Sequence, residues 1–255
     1  MTGGSLVKLK ALEQRKQEVL IVGGGLAGLV ASLLLVKEGH AVTLVEKKVY
    51  PFHRVCGEYI SNETLDFLRL HQLLPDHLDL PDIRIFEFSD TAGDRVRIPL
   101  DLGGFGISRY VLDEWMYQQA QKAGVHFLTG TQVYEIDFLD REDCFSLTLS
   151  DHSQIQSKYV IGAFGKRSKL DKKLARPFIE KRSPYLGVKY HIRTDFVKDT
   201  VALYNFSGGY CGLNAVEDGK FNLCYLGSRD QLRVHGSIEA MEREVLWKNP
   251  ILKKI

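Results

Sequence analysis

The sequence carries almost no excess of either charge. Its 255 residues include 34 Lys+Arg and 32 Asp+Glu, which leaves a formal net charge of +2. A protein that binds nucleic acid chiefly through phosphates needs a surplus of cations, so nucleic acid is not expected as the main partner. Repeats and low-complexity tracts are also missing, and hydrophobic residues make up 44% of the chain. This composition allows a sizeable core and excludes a disordered, collagen-like or coiled-coil protein.

Cysteine is scarce as well, and several patterns for covalent or metal chemistry are absent. Four cysteines in a chain of this length make no disulfide scaffold, and none belongs to a CxxC pair. We therefore expect reduced thiols and a cytoplasmic protein. His53-x-x-Cys56 is only half of a zinc site, and the sequence has no HExxH and no G-x-S-x-G. Neither a metal centre nor a hydrolase triad is expected.

One stretch has no charged side chain at all. It runs from Val19 to Val36, and its 18 residues meet the minimum length of a transmembrane helix. Four glycines lie within its first ten positions, however, and each would weaken a membrane-spanning helix. A secretory signal is also disfavoured, because Glu13 and Glu18 precede the apolar run. We therefore expect no transmembrane segment here.

The same stretch has the pattern of a nucleotide-binding turn. An apolar strand, Val19–Val22, is followed by Gly23-x-Gly25-x-x-Gly28, by a helical pattern, and by a second strand that ends at Glu46. In such a turn Gly23 permits the tight bend, Gly25 lets the backbone approach a pyrophosphate, and Gly28 lets the helix pack on the strand. Glu46 is placed to accept hydrogen bonds from ribose hydroxyls. A buried strand–helix pair without function is the alternative interpretation.

The remaining pattern predicts further helices and a strand-rich C-terminal part. Ser61 caps a predicted helix from Glu63 to Leu74, and a second helix is predicted from Tyr110 to Lys122. Helical spacing resumes at Ile238. The predicted strands are 83–88, 95–99, 125–128, 132–138, 145–149, 158–163, 186–192, 201–206, 211–216 and 221–226.

At four places the sequence resembles FAD-dependent oxidoreductases of the glutathione-reductase type, and more narrowly their para-hydroxybenzoate hydroxylase-like branch. That branch includes class A flavin monooxygenases, flavin halogenases and geranylgeranyl reductases. The resembling segments are VLIVGGGLAGLVAS with GHAVTLVEKK, Arg54-Val55-Cys56-Gly57-Glu58, Ile107-Ser108-Arg109-x-x-Leu112-Asp113-x-x-Met116, and Val160-Ile161-Gly162-Ala163-Phe164-Gly165-Lys166-Arg167-Ser168.

The resemblance implies an α/β fold with a Rossmann-like FAD-binding domain and an adjoining antiparallel β-sheet substrate domain. It also implies FAD as cofactor and NAD(P)H as electron donor. The implied division is 1–17 as an N-terminal extension, 18–80 with 101–180 as a discontinuous FAD-binding domain, 81–100 with 181–236 as the substrate-side sheet, and 237–255 as the start of a helix.

The resemblance also implies site residues beyond the first glycine turn. Gly162 and Gly165 belong to the second glycine motif, and Arg54 and Arg109 would lie near the cofactor. Two ordinary surface arginines are the alternative for that pair. Cys56 would contact the flavin or the substrate as a candidate catalytic residue, and a packed thiol without chemistry is an equal alternative.

Two departures from the family pattern affect these expectations. The second motif is usually G-A-D-G-x-x-S, and Phe164 stands where that pattern has Asp. A third family motif, a Gly-Asp pair whose Asp holds the flavin ribityl chain and phosphate, does not follow residue 226. We therefore expect a chain that is truncated at its C-terminus and lacks the remainder of the FAD domain.

Three functional hypotheses follow. The first is an FAD-dependent oxidoreductase that acts on an apolar or aromatic small molecule, a lipid among the options, by alkene reduction or by NAD(P)H-dependent monooxygenation. The second is a cofactor-deficient, non-catalytic fragment of such a flavoprotein, and the third is an NAD(P)-dependent dehydrogenase. The aromatic residues of 185–225 would line an apolar substrate wall or form a sheet core. The basic residues of 166–176 are a solvated helix face or contact a dinucleotide phosphate.

Overall fold

A computed structural model describes residues 17–166, 168–181 and 183–255. The expected N-terminal extension lies outside these residues, except for Gln17. The described chain divides into two compact units. Unit 1 comprises residues 17–52 and 113–181, and unit 2 comprises residues 53–112 and 183–255.

The described residues form thirteen strands and six α-helices. The strands are β1 (Gln17–Val22), β2 (Val42–Glu46), β3 (Tyr59–Ser61), β4 (Asp82–Ser89), β5 (Arg95–Gly106), β6 (His126–Thr129), β7 (Val133–Leu139), β8 (Cys144–Leu149), β9 (Gln154–Gly162), β10 (Tyr185–Ile192), β11 (Thr200–Phe206), β12 (Gly209–Ala215) and β13 (Phe221–Ser228). The helices are α1 (Leu26–Lys37), α2 (Leu65–Leu70), α3 (Arg109–Ala123), α4 (Lys169–Lys173), α5 (Arg229–His235) and α6 (Ile238–Glu244).

Unit 1 contains a six-stranded sheet in the order β6-β2-β1-β9-β8-β7. The first four strands are parallel, and β9, β8 and β7 pair antiparallel. The charge-free stretch forms β1, the glycine turn and α1, as the glycine spacing predicts. Leu20 and Ile21 in β1 have no exposed surface, because neighbours on both sides bury this strand. Among the described residues, no helix is both long and apolar enough to cross a membrane.

Unit 2 contains a seven-stranded sheet in the order β10-β13-β12-β11-β4-β5-β3. All its neighbours are antiparallel except β4 and β11, which pair in parallel. The predicted hairpin between β4 and β5 and the hairpin between β12 and β13 both form. The expected all-antiparallel sheet is therefore mixed at one junction, where β4 meets a strand from much later in the chain.

The boundary between the units differs from the expected domain boundary. Residues 53–80 and 101–112, expected in the FAD-binding domain, belong to unit 2. The reason is that β5 continues as a single strand to Gly106, where β3 pairs with it. Residues 237–255 also belong to unit 2, because Met241, Leu246 and Leu252 pack into its core.

The predicted helix from Glu63 to Leu74 is shorter in the structure. A 3₁₀ turn, Asn62–Thr64, comes first, with the Ser61 hydroxyl accepting a hydrogen bond from the Glu63 N–H at 3.3 Å. The α-helical part ends at Leu70, and Gln72 adopts a left-handed φ of 59°. The predicted cap is thus present, while the C-terminal end comes four residues earlier because the backbone reverses at Gln72.

The strand register of unit 2 assigns each residue to one face of the sheet. The core face carries Tyr204, Cys211 and Tyr225, which are paired across three strands and packed against the C-terminal helices. The opposite face is here called the outer face. Its cross-strand rows are Ile98–Phe86–Val201–Asn214–Asn222–His191 and Val96–Phe88–Leu203–Gly212–Cys224–Lys189.

The aromatic residues of 185–225 are divided between the two faces and the surface. Tyr204, Phe206, Phe221 and Tyr225 belong to the core of unit 2. Tyr185 and Tyr210 are exposed large side chains. A sheet core, rather than a substrate wall, therefore accounts for the four buried aromatics.

Candidate functional site

The first glycine turn lies between the carboxyl end of β1 and the start of α1. Gly23 has a φ of 107°, and a Cβ there would collide with the Ala163 carbonyl. A Cβ on Gly28 would collide with the Gly23 carbonyl, so both glycines are required by the packing of the turn. Gly25 differs: it is the N-cap of α1 with an ordinary φ of −84°. It lies at the helix start, where free backbone N–H groups can donate hydrogen bonds to a phosphate.

The Glu46 carboxylate is buried beside this turn. One of its oxygens accepts a hydrogen bond from the Gly24 N–H at 2.8 Å, and the other accepts from the Lys48 N–H at 3.0 Å. The Tyr50 hydroxyl donates to the Gly24 carbonyl at 2.5 Å, and its ring stacks on Tyr117 with centroids 4.4 Å apart. Glu46 therefore ties the glycine turn to the end of β2. A carboxylate keeps further acceptor sites for ribose hydroxyls.

The second glycine motif follows β9, the strand parallel to β1. Gly162 pairs with Val22, and Gly165 has a left-handed φ of 72°. The two glycine turns thus lie at the carboxyl ends of adjacent parallel strands, where nucleotides bind in open α/β sheets.

Phe164 takes the position of the usual acid in this motif. A Cβ on Gly162 would lie 2.8 Å from the Phe164 ring, and the ring also packs against the core of unit 1. The Arg176 guanidinium lies 5.8 Å from its centroid. The position therefore contributes apolar packing instead of a carboxylate.

The basic residues after this motif form a local surface around α4. The Lys173 ammonium pairs with Glu135 at 2.6 Å, and the Arg176 guanidinium pairs with Asp171 at 3.4 Å. These carboxylates already neutralise two of the cations, which favours a solvated helix face over a phosphate contact.

Three further expected site residues, Arg54, Cys56 and Arg109, lie in unit 2. The segment that contains the first two is held on the outer face, because the Asn222 amide donates to the carbonyls of Cys56 at 3.2 Å and Gly57 at 2.7 Å. Burial and the neighbouring Cys56 thiol raise the pKa of Cys224. Cys56 is therefore a free, partly exposed thiol close to Cys224.

Arg109 begins α3, and its backbone N–H donates to the Glu58 carboxylate at 2.7 Å. Glu58 has no exposed side-chain surface and also accepts hydrogen bonds from the Lys189 ammonium and, at 2.6 Å, from His191 Nε2. Burial works against ionisation, but hydrogen bonds from His191, Lys189 and the Arg109 N–H outweigh it. The pKa of Glu58 therefore lies below its ordinary value.

A cavity of about 430 Å³ in unit 2 is lined in part by His191, which is hydrogen-bonded to Glu58. Its walls include His53, Tyr110, His191 and Arg193. Burial and the charges of Lys189 and His191 lower the pKa of His53. Sequence reasoning did not select Glu58, Lys189, His191 or the cavity. Their segments are far apart in the chain, and no motif spacing connects them.

Known proteins resemble this chain in sequence and in fold. A family model described as "FAD binding domain" matches residues 16–200. The "Menaquinone reductase" of Mycobacterium tuberculosis is 25% identical over 188 residues, which are 71% of this chain and 46% of that protein. The "Geranylgeranyl diphosphate reductase" of Rhodobacter capsulatus is 28% identical over 165 residues, which are 61% of this chain and 39% of that protein. The chain spans about half the length of the curated relatives that it matches.

Solved structures share the fold at lower identity. The crystal structure of halogenase PltM matches with a TM-score of 0.75 and 16% identity, over 94% of this chain and 57% of that chain. The flavin-dependent halogenase CmlS matches with a TM-score of 0.72 and 21% identity, over 94% of this chain and 46% of that chain. These likenesses extend over both units of the chain and concern the fold alone.

Proposed function

Because the chain belongs to the FAD-binding domain family, we propose that it is part of an FAD-dependent oxidoreductase and that unit 1 binds the cofactor. The observation that carries the proposal is the pair of glycine turns at the carboxyl ends of β1 and β9. The start of α1 at Gly25 would hold the pyrophosphate through backbone N–H groups and the helix dipole. Glu46 would hold the adenosine ribose.

FAD, when bound, supplies the electron and hydride transfer that protein side chains lack. The residues of this chain would bind it, orient it and exclude water. Gly162 and Gly165 would form the second glycine turn at the cofactor, and Arg54 and Arg109 stay proposed cations for the cofactor's phosphates or ring carbonyls, as the resemblance implies. NAD(P)H is the proposed electron donor. Because Phe164 stands where the family pattern has Asp, this chain lacks one carboxylate that would assist NAD(P)H binding.

The proposed substrate is an apolar or aromatic small molecule, with a lipid among the options. Two relatives named as reductases, of menaquinone and of geranylgeranyl diphosphate, support a reduction, and NAD(P)H-dependent monooxygenation is the second option. The outer face of unit 2 offers apolar surface, since Phe88, Val96 and Ile98 are 38%, 50% and 48% exposed. Cys56, near the same face, is the candidate catalytic residue if the reaction is a reduction. Free thiols at all four cysteines support a cytoplasmic location.

The visible spectrum of the purified protein tests cofactor binding. We expect bands at about 370 and 450 nm after reconstitution with FAD, as oxidised flavin gives. A protein that stays colourless with added FAD would favour the cofactor-deficient alternative, and binding of NAD(P) without FAD would favour the dehydrogenase.

Gly25→Val tests the assigned turn. Its side chain would occupy the pyrophosphate position, while the ordinary φ of Gly25 allows the unit to stay folded. We expect loss of FAD binding with an unchanged circular dichroism spectrum. Ala123→Val, at the exposed end of α3 in unit 1, is the matched control and should retain FAD. Retained affinity in Gly25→Val would show that the turn is not the cofactor site.

Anaerobic mixing with NADPH or NADH tests the electron donor. Bleaching of the 450 nm band by either compound would support the donor assignment. Bleaching by dithionite alone would refute it while leaving FAD binding intact.

A further inference from the structure

Two of the four cysteines lie on the outer face of unit 2. Cys224 belongs to β13, where it pairs with Lys189 of β10 in one of the outer-face rows. Cys56 lies in the irregular segment that precedes β3. Both thiols are partly exposed, whereas Cys144 and Cys211 are buried. The two partly exposed thiols are therefore the ones that a reagent in solution reaches.

The Asn222 amide fixes the backbone on one side of Cys56. It donates hydrogen bonds to the Cys56 carbonyl at 3.2 Å and to the Gly57 carbonyl at 2.7 Å. Asn222 has no exposed surface, so its orientation is set by the sheet. It lies two positions before Cys224 in β13, on the same face, because side chains alternate along a strand. The Cys56 carbonyl is thus held one strand repeat away from Cys224.

Val55 fixes the segment on the other side of Cys56. A Cβ on Gly187 would lie 3.1 Å from a Val55 methyl group, so the segment lies directly on the sheet at this point. Gly187 pairs with Leu226, which is two positions after Cys224 and on the same face. The segment therefore crosses β13 between these two contacts, and Cys56 lies over Cys224.

The electrostatics of Cys224 agree with this crossing. Burial and the Cys56 thiol raise the pKa of Cys224, while the Lys189 ammonium and a hydrogen bond from the Cys56 N–H lower it. The Cys56 backbone is therefore within hydrogen-bond reach of the Cys224 sulfur. A disulfide needs Cα atoms roughly 4.4–6.8 Å apart, which is the separation of two chain segments in direct contact.

From these contacts we infer that Cys56 and Cys224 form a dithiol site, which a peroxide converts reversibly into a disulfide. Val55 and Gly57, on either side of Cys56, are exposed, so the peroxide approaches this sulfur from solvent. The Cys56 sulfur attacks the O–O bond, which breaks to give a sulfenic acid and one water. The Cys224 sulfur then attacks the sulfenic sulfur, the S–O bond breaks, and a second water leaves. Two thiols thus lose two electrons and two protons, and one peroxide becomes two waters.

A reversible disulfide suits a protein with otherwise reduced thiols. Disulfides in cytoplasmic proteins are typically transient and redox-sensing. The bond would take away the Cys56 thiol and would therefore stop a reaction that uses it. This consequence rests on the proposed function. Formation of the disulfide does not, because both cysteines and the residues that position them belong to unit 2.

Peptide mapping of the full chain after treatment with hydrogen peroxide tests this inference. We expect a monomer in which one disulfide joins the peptides of Cys56 and Cys224, and in which dithiothreitol restores both thiols. Cys144→Ala, at a buried cysteine of unit 1, is the matched control and should form the same disulfide. Cys224→Ser should form none and should leave Cys56 as a sulfenic acid, which dimedone traps.

Asn222→Ala tests how the segment is positioned. It removes the amide that holds the two carbonyls, and we expect the disulfide to form about fivefold more slowly, the effect of losing one hydrogen bond. An unchanged circular dichroism spectrum would show that the sheet is intact. An unchanged rate in this folded variant would overturn the inference.

Separate oxidation of Cys56 and Cys224, or pairing of either one with another cysteine, would also overturn the inference. A disulfide in a protein that fails to bind FAD would refute only the proposed function. FAD binding without the disulfide would refute only the dithiol site.

Discussion

At the residue scale, Glu58 shows how a buried carboxylate is kept charged. Its surroundings contain two cationic or potentially cationic side chains and one backbone N–H, all within unit 2. Lys189 is itself 6% exposed, so neither member of this pair is solvated well. Removing one partner of such a pair leaves an isolated charge in a poorly hydrated place, which is more costly than losing the pair as a whole.

We therefore expect Glu58→Gln to destabilise unit 2 by about 3 kcal/mol or more, as measured by urea unfolding. Adding Lys189→Met to this variant should recover a large part of the loss, because the isolated ammonium disappears. Lys220→Met, whose partner Asp218 is exposed, is the control and should have a small effect. A double variant no more stable than Glu58→Gln would contradict the pairing argument.

The lowered pKa of Glu58 also predicts a pH dependence. A carboxyl whose pKa is lower in the folded than in the unfolded chain adds stability above the unfolded pKa, and loses it as pH falls through the folded pKa. Unfolding free energy should therefore fall as the pH drops below 4.5, the ordinary value for this group. The fall should be shallower in Glu58→Gln. Parallel curves for the two proteins would assign the acid sensitivity to other carboxylates.

At the scale of elements, α6 shows how a short helix is held on a sheet. Its seven residues are too few to be stable alone, so packing must supply the stability. Met241 is fully buried in the core of unit 2, and Glu242 accepts hydrogen bonds from the hydroxyls of Tyr190 at 3.0 Å and Tyr225 at 2.8 Å. Burial and the Glu242 hydrogen bond raise the pKa of Tyr190 to about 12.

Glu242→Ala should therefore loosen α6 and lower the unfolding free energy by about 1–3 kcal/mol, since two tyrosine hydroxyls lose a charged acceptor. Glu244→Ala, at the other end of the same helix and paired, among the described residues, only with the exposed Arg243, is the control and should change stability by less than about 0.5 kcal/mol. Hydrogen exchange of the α6 amides would locate the loss. Equal effects of the two substitutions would rule out the tyrosine contacts as its cause.

Patterning along the chain predicted the elements more reliably than their grouping. The strand, glycine turn and helix at 17–37 follow from glycine spacing and apolar runs, and the structure confirms them. The sequence pattern overestimates the length of the helix after Ser61, because the left-handed turn at Gln72 forms without a glycine. From the sequence, Phe164 indicates only the loss of an acid, since the packing of its ring over Gly162 depends on the fold.

At the scale of the whole molecule, our proposal assigns FAD binding to unit 1. A ligand that binds only the folded state stabilises it by an amount that grows with its concentration, about 2.7 kcal/mol at a hundredfold excess over Kd. FAD should therefore raise the thermal unfolding temperature and slow hydrogen exchange in the amides of β1, α1 and β9. Gly25→Val should show neither effect. Protection restricted to unit 2 would contradict cofactor binding at the glycine turns.

The sequence by itself determined the glycine turn, the acid at the end of β2, the family and most strands, because each depends on residues that are close together in the chain. Only the tertiary structure decided that residues 53–80 and 101–112 belong with the seven-stranded sheet. It alone also brought Glu58 to Lys189 and His191, 131 and 133 positions away. Local periodicity and spacing contain no information about such distant pairs. Burial and hydrogen bonding across the sheet select them once the whole chain has folded.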